Sequence, residues 1–235
     1  MLTGCRLDVA AGLEVDADGG GRAMLDLVLD GELVAELDAL EVDPTAELEA
    51  TISDTDWSLT RERGDQGALE LRLVHEVDDA AELGEVLGEL DEGLAPADPA
   101  LRLDLDVATD PDGRVEVDGT ATFEPPSRPA ATVDGEPVGP DRAALAELVA
   151  ETVTASLTAT LPGEVLEHDG GQLDGRSVTW ELDVGEEVAV RAVAAPAPWW
   201  RGLGSVLWPA ALFGALAALV SLLLRRRRRR RSEEL

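Results

Sequence analysis

The sequence predicts an α+β domain, mostly antiparallel sheet with two or three helices, followed by one C-terminal membrane-spanning helix. Three observations carry that prediction. Stretches of alternating apolar and polar residues recur along the chain and are joined by short Gly- and Asp-rich turns. A few stretches instead show the three-to-four-residue apolar spacing of a helix lying on a core. Residues 203–224, LGSVLWPAALFGALAALVSLLL, contain no charged side chain.

Taken in order, Leu7, Val9, Ala11, Leu13 and Val15 alternate with polar or small residues and predict a half-buried strand. Asp16 to Gly21 is a turn, and Ala23 to Leu29 returns as a second strand of the same hairpin. Leu33 to Leu40 has helical spacing over a short span, and Ala46 to Ile52, after Pro44, reads as one or two further helical turns. Strands from Trp57 to Glu62 and from Ala68 to Val77 flank the hairpin signal Gly64-Asp65-Gln66-Gly67. Asp78 is the expected N-cap of a helix whose apolar face is Ala81, Leu83, Val86, Leu87 and Leu90, ending near Gly93.

Pro96 and Pro99 mark a loop. Leu101, Leu103, Leu105 and Val107 alternate strictly, Pro111-Asp112-Gly113 turns the chain, and Val115 to Phe123 returns. Residues 125–140 are proline-rich and read as loop. Asp141 to Glu151 predicts an amphipathic helix with Leu145, Leu148 and Val149 on one face. The last third is β again: Thr154 to Leu161, Val165 to His168, Ser177 to Leu182 and Val188 to Ala194. The sum is eight or nine strands in hairpin order.

The apolar run after this domain has the length of a membrane span. Its 22 residues, at about 1.5 Å each, make a helix of roughly 33 Å, enough for a bilayer core of about 30 Å. Pro209 falls in the first turns, where a missing N–H costs least. Trp199, Trp200 and Trp208 cluster at the start, as aromatic rings do at a membrane interface. Arg225, Arg226, Arg227, Arg228, Arg229, Arg230 and Arg231 follow the run directly. Positive charge stays on the cytoplasmic side, so these arginines set the topology with residues 1 to about 200 outside.

That topology demands an export signal. Leu2-Thr3-Gly4-Cys5 looks like a bacterial lipobox, whose cysteine is acylated and becomes the mature N-terminus. Four residues cannot hold a signal, so either translation begins upstream of Met1 or the chain is truncated. Cys5 is the one cysteine and the expected lipidation site, and no internal disulfide is available. The expected organisation is a signal remnant (1–5), an extracytoplasmic domain (6–194), a Pro/Trp spacer (195–202), the span (203–224) and an arginine tail (225–235).

Charge excludes several functions. Forty-nine acidic residues face 19 basic ones, all arginine, for a net charge of −30. Seven of those arginines lie in the tail, so the exported part is more acidic still. Such a surface repels nucleic acid and anionic headgroups. Only Trp57, Phe123 and Trp180 supply aromatic side chains to the domain, so its core is Leu, Val and Ala.

No catalytic constellation emerges. His75 and His168 are the only histidines, and one N-terminal cysteine assembles neither a zinc site nor a Cys–His pair. There is no Gly-x-Ser-x-Gly elbow, and carboxylate pairs such as Glu14 with Asp16 mean little at this acidity. Asp16-x-Asp18-Gly and Asp110-x-Asp112-Gly begin like calcium loops but lack the later ligands, so they are read as turns. The expectation is a non-enzymatic protein with no cofactor, no metal and no nucleic-acid partner.

One stretch has a wider likeness. Leu161-Pro162-Gly163-Glu164-Val165-Leu166-Glu167-His168-Asp169-Gly170, continuing through Asp174 to Trp180, resembles the LppM family of actinobacterial lipoproteins. Members combine a lipobox, an α+β ectodomain, a Pro-Gly strand, a Gly-x-x-Val-x-Trp strand and a C-terminal span with a basic tail. Cys5, Pro162, Gly163, Gly175, Val178, Trp180 and residues 203–231 fill those places. The resemblance implies a membrane-anchored envelope protein that binds a lipid or glycolipid. Trp180 is expected to pack in the core on its strand, with ligand stacking as the alternative, and Pro162 and Gly163 to form a strand bend rather than a binding loop. The rival expectation is an acidic interaction module contacting a protein or cell-wall partner. A Leu- and Val-lined pocket beside Trp180 favours the first, and a filled interior the second.

Overall fold

In a computed structural model, the alternating segments pair into two sheets stacked face to face. The structure describes residues 6–53, 55–93, 101–124, 131–133, 136–138, 147 and 149–196. Its elements are β1 (Leu7–Val15), β2 (Gly21–Leu29), α1 (Gly31–Ala39), α2 (Pro44–Ile52), β3 (Ser58–Arg63), β4 (Leu69–Val77) and α3 (Leu83–Gly93). There follow β5 (Leu101–Thr109), β6 (Val115–Phe123), β7 (Ala131–Val133), β8 (Glu136–Val138) and β9 (Val153–Thr160). The chain continues through β10 (Val165–Asp169), β11 (Gln172–Asp174), β12 (Ser177–Glu181) and β13 (Glu187–Ala194).

The larger sheet has the order β11-β12-β9-β1-β2-β4-β3, and the smaller β10-β13-β6-β5. Residue alternation decides which face of each is buried. Leu13, Leu25, Leu73, Leu157, Val178 and Trp180 point from the larger sheet into the core, where Leu103, Val107, Val117, Phe123, Val190 and Ala192 meet them from the smaller. Trp57, Phe123 and Trp180 are all buried, as expected.

Helix α3 closes the open side of this sandwich. Leu83 and Leu87 are fully buried, and its backbone runs so close to β5 that a Cβ on Gly84 would lie 2.0 Å from the carbonyl oxygen of Leu105. Helices α1 and α2 cover a second apolar cluster, in which Leu33, Val34, Leu37 and Leu48 pack on Leu29, Leu69 and Leu71.

Helix α1 starts where it does because Asp30 caps it: its carboxylate accepts from the Leu33 amide at 2.8 Å and from the Arg6 amide at 2.7 Å. Asp30→Ala therefore frees both a helix end and the N-terminal strand, and should lower stability by about 1–2 kcal/mol in a urea titration. An unchanged midpoint would show that neither bond matters.

Several expectations are corrected. The strands form two stacked sheets and a separate β7–β8 hairpin, not one sheet in simple hairpin order. Strand β1 pairs antiparallel with β2 but parallel with β9, Leu7 opposite Val153 and Glu14 opposite Thr160. The stretch 125–140, expected to be loop, contains the β7–β8 pair; the Asp134-Gly135 dipeptide between those strands is a two-residue hairpin signal. The cap before α3 is Asp79, which accepts from the Ala81 amide at 3.0 Å and opens a short 3-10 turn, and Ala80 rather than Ala81 is buried. In the expected helix from Asp141 to Glu151, Glu147 and residues 149–151 are helical and the remainder lies outside the described residues.

The chain divides into two units, Met1–Pro196 and Ala197–Leu235. The second unit lies outside the described residues, and so do Cys5, the span expected at 203–224 and Arg225 to Arg231. Among the described residues no helix is long and apolar enough to cross a membrane.

Candidate functional site

The motif residues from Leu161 to Trp180 build the corner where the chain passes from one sheet to the other. Strand β10 lies at the edge of the smaller sheet and β11 at the edge of the larger, with Gly170 and Gly171 between them. Trp180 is 2% exposed, and its indole N–H donates to the carbonyl of Asp169 at 2.7 Å. Gly171 lies flat on the indole, since a Cβ there would approach Trp180 Nε1 to 2.9 Å. Val178 is fully buried beside it, and Gly175 takes the left-handed turn (φ 62°) between β11 and β12.

The chain bends at Pro162 and Gly163. The Arg176 guanidinium donates to the carbonyls of Leu161 and Pro162 at 3.2 and 3.3 Å. A Cβ on Gly163 would lie 1.9 Å from the carbonyl oxygen of Ala195, so only glycine lets the chain's exit from the domain pass this close.

A surface groove of about 430 Å³ runs past this corner, but its walls are Gly170, Gly171, Gln172, Thr179, Trp180, Glu181 and Val188. Leu157, paired opposite Trp180, and Val178, two residues before it on β12, are fully buried with it. Trp180 is thus a core anchor rather than a stacking platform.

The remaining sequence candidates are not brought together. His75 packs edge-on against Trp57, ring centroids 5.3 Å apart, with its buried Nδ1 unpartnered among the described residues. His168 lies on β10 in the other sheet, opposite Ala192, and is exposed. Asp110 spends its carboxylate on the amides of Asp112 and Arg114, at 2.8 and 2.9 Å, which is turn chemistry. Asp16 likewise closes a turn, its amide donating to Gly20 at 2.8 Å. Among the described residues no three His, Cys, Asp or Glu side chains are grouped to hold a metal.

The site that sequence reasoning missed lies beneath α1 and α2. A groove of about 270 Å³ is lined by Val34, Leu37, Val42, Pro44 and Leu69, together with Arg61, Arg63, Asp38, Glu41 and Asp43. Arg61 and Arg63 sit two apart on edge strand β3, opposite Leu71 and Leu69 of β4, so their side chains share the groove face. Arg22, Arg72, Arg102 and Arg191 are each ion-paired to a carboxylate. Arg61 and Arg63 form no ion pair among the described residues. Asp43 caps α2; the amides of Ala46 and Thr45, and more weakly Arg61, hold its carboxyl below the usual range. Leu40, at the end of α1, is 71% exposed. The Arg61-Glu62-Arg63 alternation was the available signal, but the apolar wall comes from residues on other elements.

Among known families, the profile of the LppM domain matches residues 32–196, from the first turn of α1 to the end of the described domain. The folded domain of LppM from Mycobacterium tuberculosis, solved by NMR, is similar with a TM-score of 0.46 and 12% identity. That alignment covers 85% of this chain and 95% of the other. No curated protein matches.

Proposed function

Because the chain belongs to the LppM family, we propose that it is a non-enzymatic protein of the cell envelope whose outer domain binds a lipid or glycolipid. In this reading residues 203–224 cross the membrane once, Arg225 to Arg231 stay in the cytoplasm, and Cys5 carries a lipid in the full precursor. The observation that carries the binding reading is the groove beneath α1 and α2. Its Val34, Leu37 and Leu69 floor suits an acyl chain, and Arg61 and Arg63 line it as cations for an anionic or hydroxyl-bearing headgroup. Asp38, Glu41 and Asp43 supply hydrogen-bond acceptors for sugar hydroxyls.

Native mass spectrometry of the full chain in nanodiscs tests this. A persistent adduct that fragments as a lipid is expected. Arg61→Gln with Arg63→Gln should weaken it by about tenfold per arginine, since one charge-assisted bond is worth roughly 1.5 kcal/mol or more. A bare mass with every envelope lipid added would sink the reading.

A second reading, an acidic module that contacts a protein or cell-wall partner, is favoured by two observations. Trp180 is buried with Leu157 and Val178 in the core, and the outer face of the smaller sheet carries Asp104, Asp106, Glu116 and Asp118. Retention of a partner without any lipid adduct would select it.

A further inference from the structure

The groove beneath α1 and α2 holds charges of both signs that are not paired with one another. Arg61 and Arg63 line it together with Asp38 and Glu41, and none of the four forms an ion pair among the described residues. Asp43, the third carboxylate, is already met by the amides of Thr45 and Ala46, at 2.9 and 3.3 Å. The groove therefore offers two cations and two anions over one apolar floor.

The two anions are placed against local preference. Both lie at the C-terminal end of α1, whose last turn has no basic residue, and a helix end of that polarity favours cations and disfavours carboxylates. The helix closes there through the Val42 amide on the Leu37 carbonyl, at 3.0 Å, and the Glu41 amide on the Asp38 carbonyl, at 3.2 Å. Such a cap usually puts glycine at its left-handed residue. Here that residue is Glu41, at φ 58°. A cation seated at this end answers the helix dipole and both carboxylates at once. An anion on Arg61 and Arg63, which share one face of β3, takes charge-assisted bonds from both guanidinium groups.

We propose that the groove selects a zwitterionic phospholipid with a primary ammonium, its phosphate on Arg61 and Arg63 and its ammonium at the end of α1 with Asp38 and Glu41. The inference rests on the lipid-binding reading of this groove and narrows it to one headgroup class. Two competing headgroups fail on chemistry. A purely anionic one meets the arginines but is repelled by three carboxylates, in a chain of net charge −30. A quaternary ammonium has no N–H to donate and is held by aromatic cages, and none of the described residues lining this groove is aromatic. A primary ammonium brings three donors, which the two carboxylates can accept.

The test places the full chain in nanodiscs of equimolar phosphatidylethanolamine, phosphatidylglycerol and phosphatidylcholine and reads the retained adduct by native mass spectrometry. Phosphatidylethanolamine should exceed each of the others by about fivefold, the worth of one exposed ion pair at the top of its usual range. Arg61→Gln with Arg63→Gln should weaken every phospholipid adduct, since all three lipids carry the phosphate. Asp38→Asn with Glu41→Gln should keep an adduct but turn the preference to phosphatidylglycerol, with Tm unchanged or raised because the dipole no longer opposes these side chains. An unchanged preference in that second variant would overturn the headgroup assignment and leave lipid binding intact. Equal retention of the three lipids by the parent protein, or a preference for phosphatidylglycerol, would do the same. A parent protein that emerges bare, as monomer or as dimer, would overturn the lipid reading and this one with it.

Discussion

Trp180→Ala should lower the unfolding free energy of the domain by about 3–5 kcal/mol, a fall in Tm of about 10–15 °C for a domain of this size. The indole is the largest of the fully buried side chains among the described residues, and its surroundings cannot collapse onto the space it leaves. Val178 belongs to the same strand, Leu157 is paired in register opposite Trp180, and Gly171 is fixed by the turn above. Trp180→Phe keeps most of the apolar area and removes only the bond to the Asp169 carbonyl. It should cost about 1 kcal/mol. Differential scanning calorimetry of the three proteins separates the two contributions. A loss below 1 kcal/mol for the alanine variant would contradict the core role argued for this residue.

Gly163→Ala should be almost as damaging, about 3 kcal/mol, at the upper end of what an overpacked position costs. The obstacle is a backbone oxygen at 1.9 Å, not the tip of a flexible side chain. Relief requires the strand after Ala194 to move away, which breaks the bond from the Ala195 amide to the Glu164 carbonyl at 2.8 Å. The damage should therefore be local as well as global. Hydrogen exchange at Ala195 should accelerate more than at core amides of β9, and uniform acceleration would refute the local account.

The elements were legible in the sequence wherever a side chain's burial depends on its own strand. Leu101 to Val107 and Val115 to Phe123 alternate because one face of β5–β6 meets the core and the other meets water, so period and burial agree. What alternation cannot carry is the partner. Val153 to Thr160 looks the same whether it pairs with the strand before it or, as here, runs parallel to β1. Strand β11 is three residues long and wholly exposed, too brief to leave a pattern. Asp78 and Asp79 are chemically alike, and only the backbone geometry shows which one caps.

The motif from Pro162 to Trp180 was legible as a motif but not as a corner. Its glycines face atoms from Val178, Trp180 and Ala195, which no local spacing reveals. The groove beneath α1 and α2 was hidden for the same reason. Val34, Leu37, Arg61, Arg63 and Leu69 converge only after the helices fold back on β4.

The parallel pairing of β1 with β9 also sets a timetable. As the chain emerges N-terminus first, β1 and β2 zip together early through a short turn, leaving one long edge of β1 with unsatisfied amides and carbonyls. Its partner arrives only when residues 153–160 have been delivered, with β3 to β8 already made. Until then that edge is a template for the wrong strand. Closing it requires joining segments far apart in the chain, the slow kind of contact in folding. The nascent domain therefore passes through a vulnerable interval, and chaperones have most to do between synthesis of Val15 and that of Thr160.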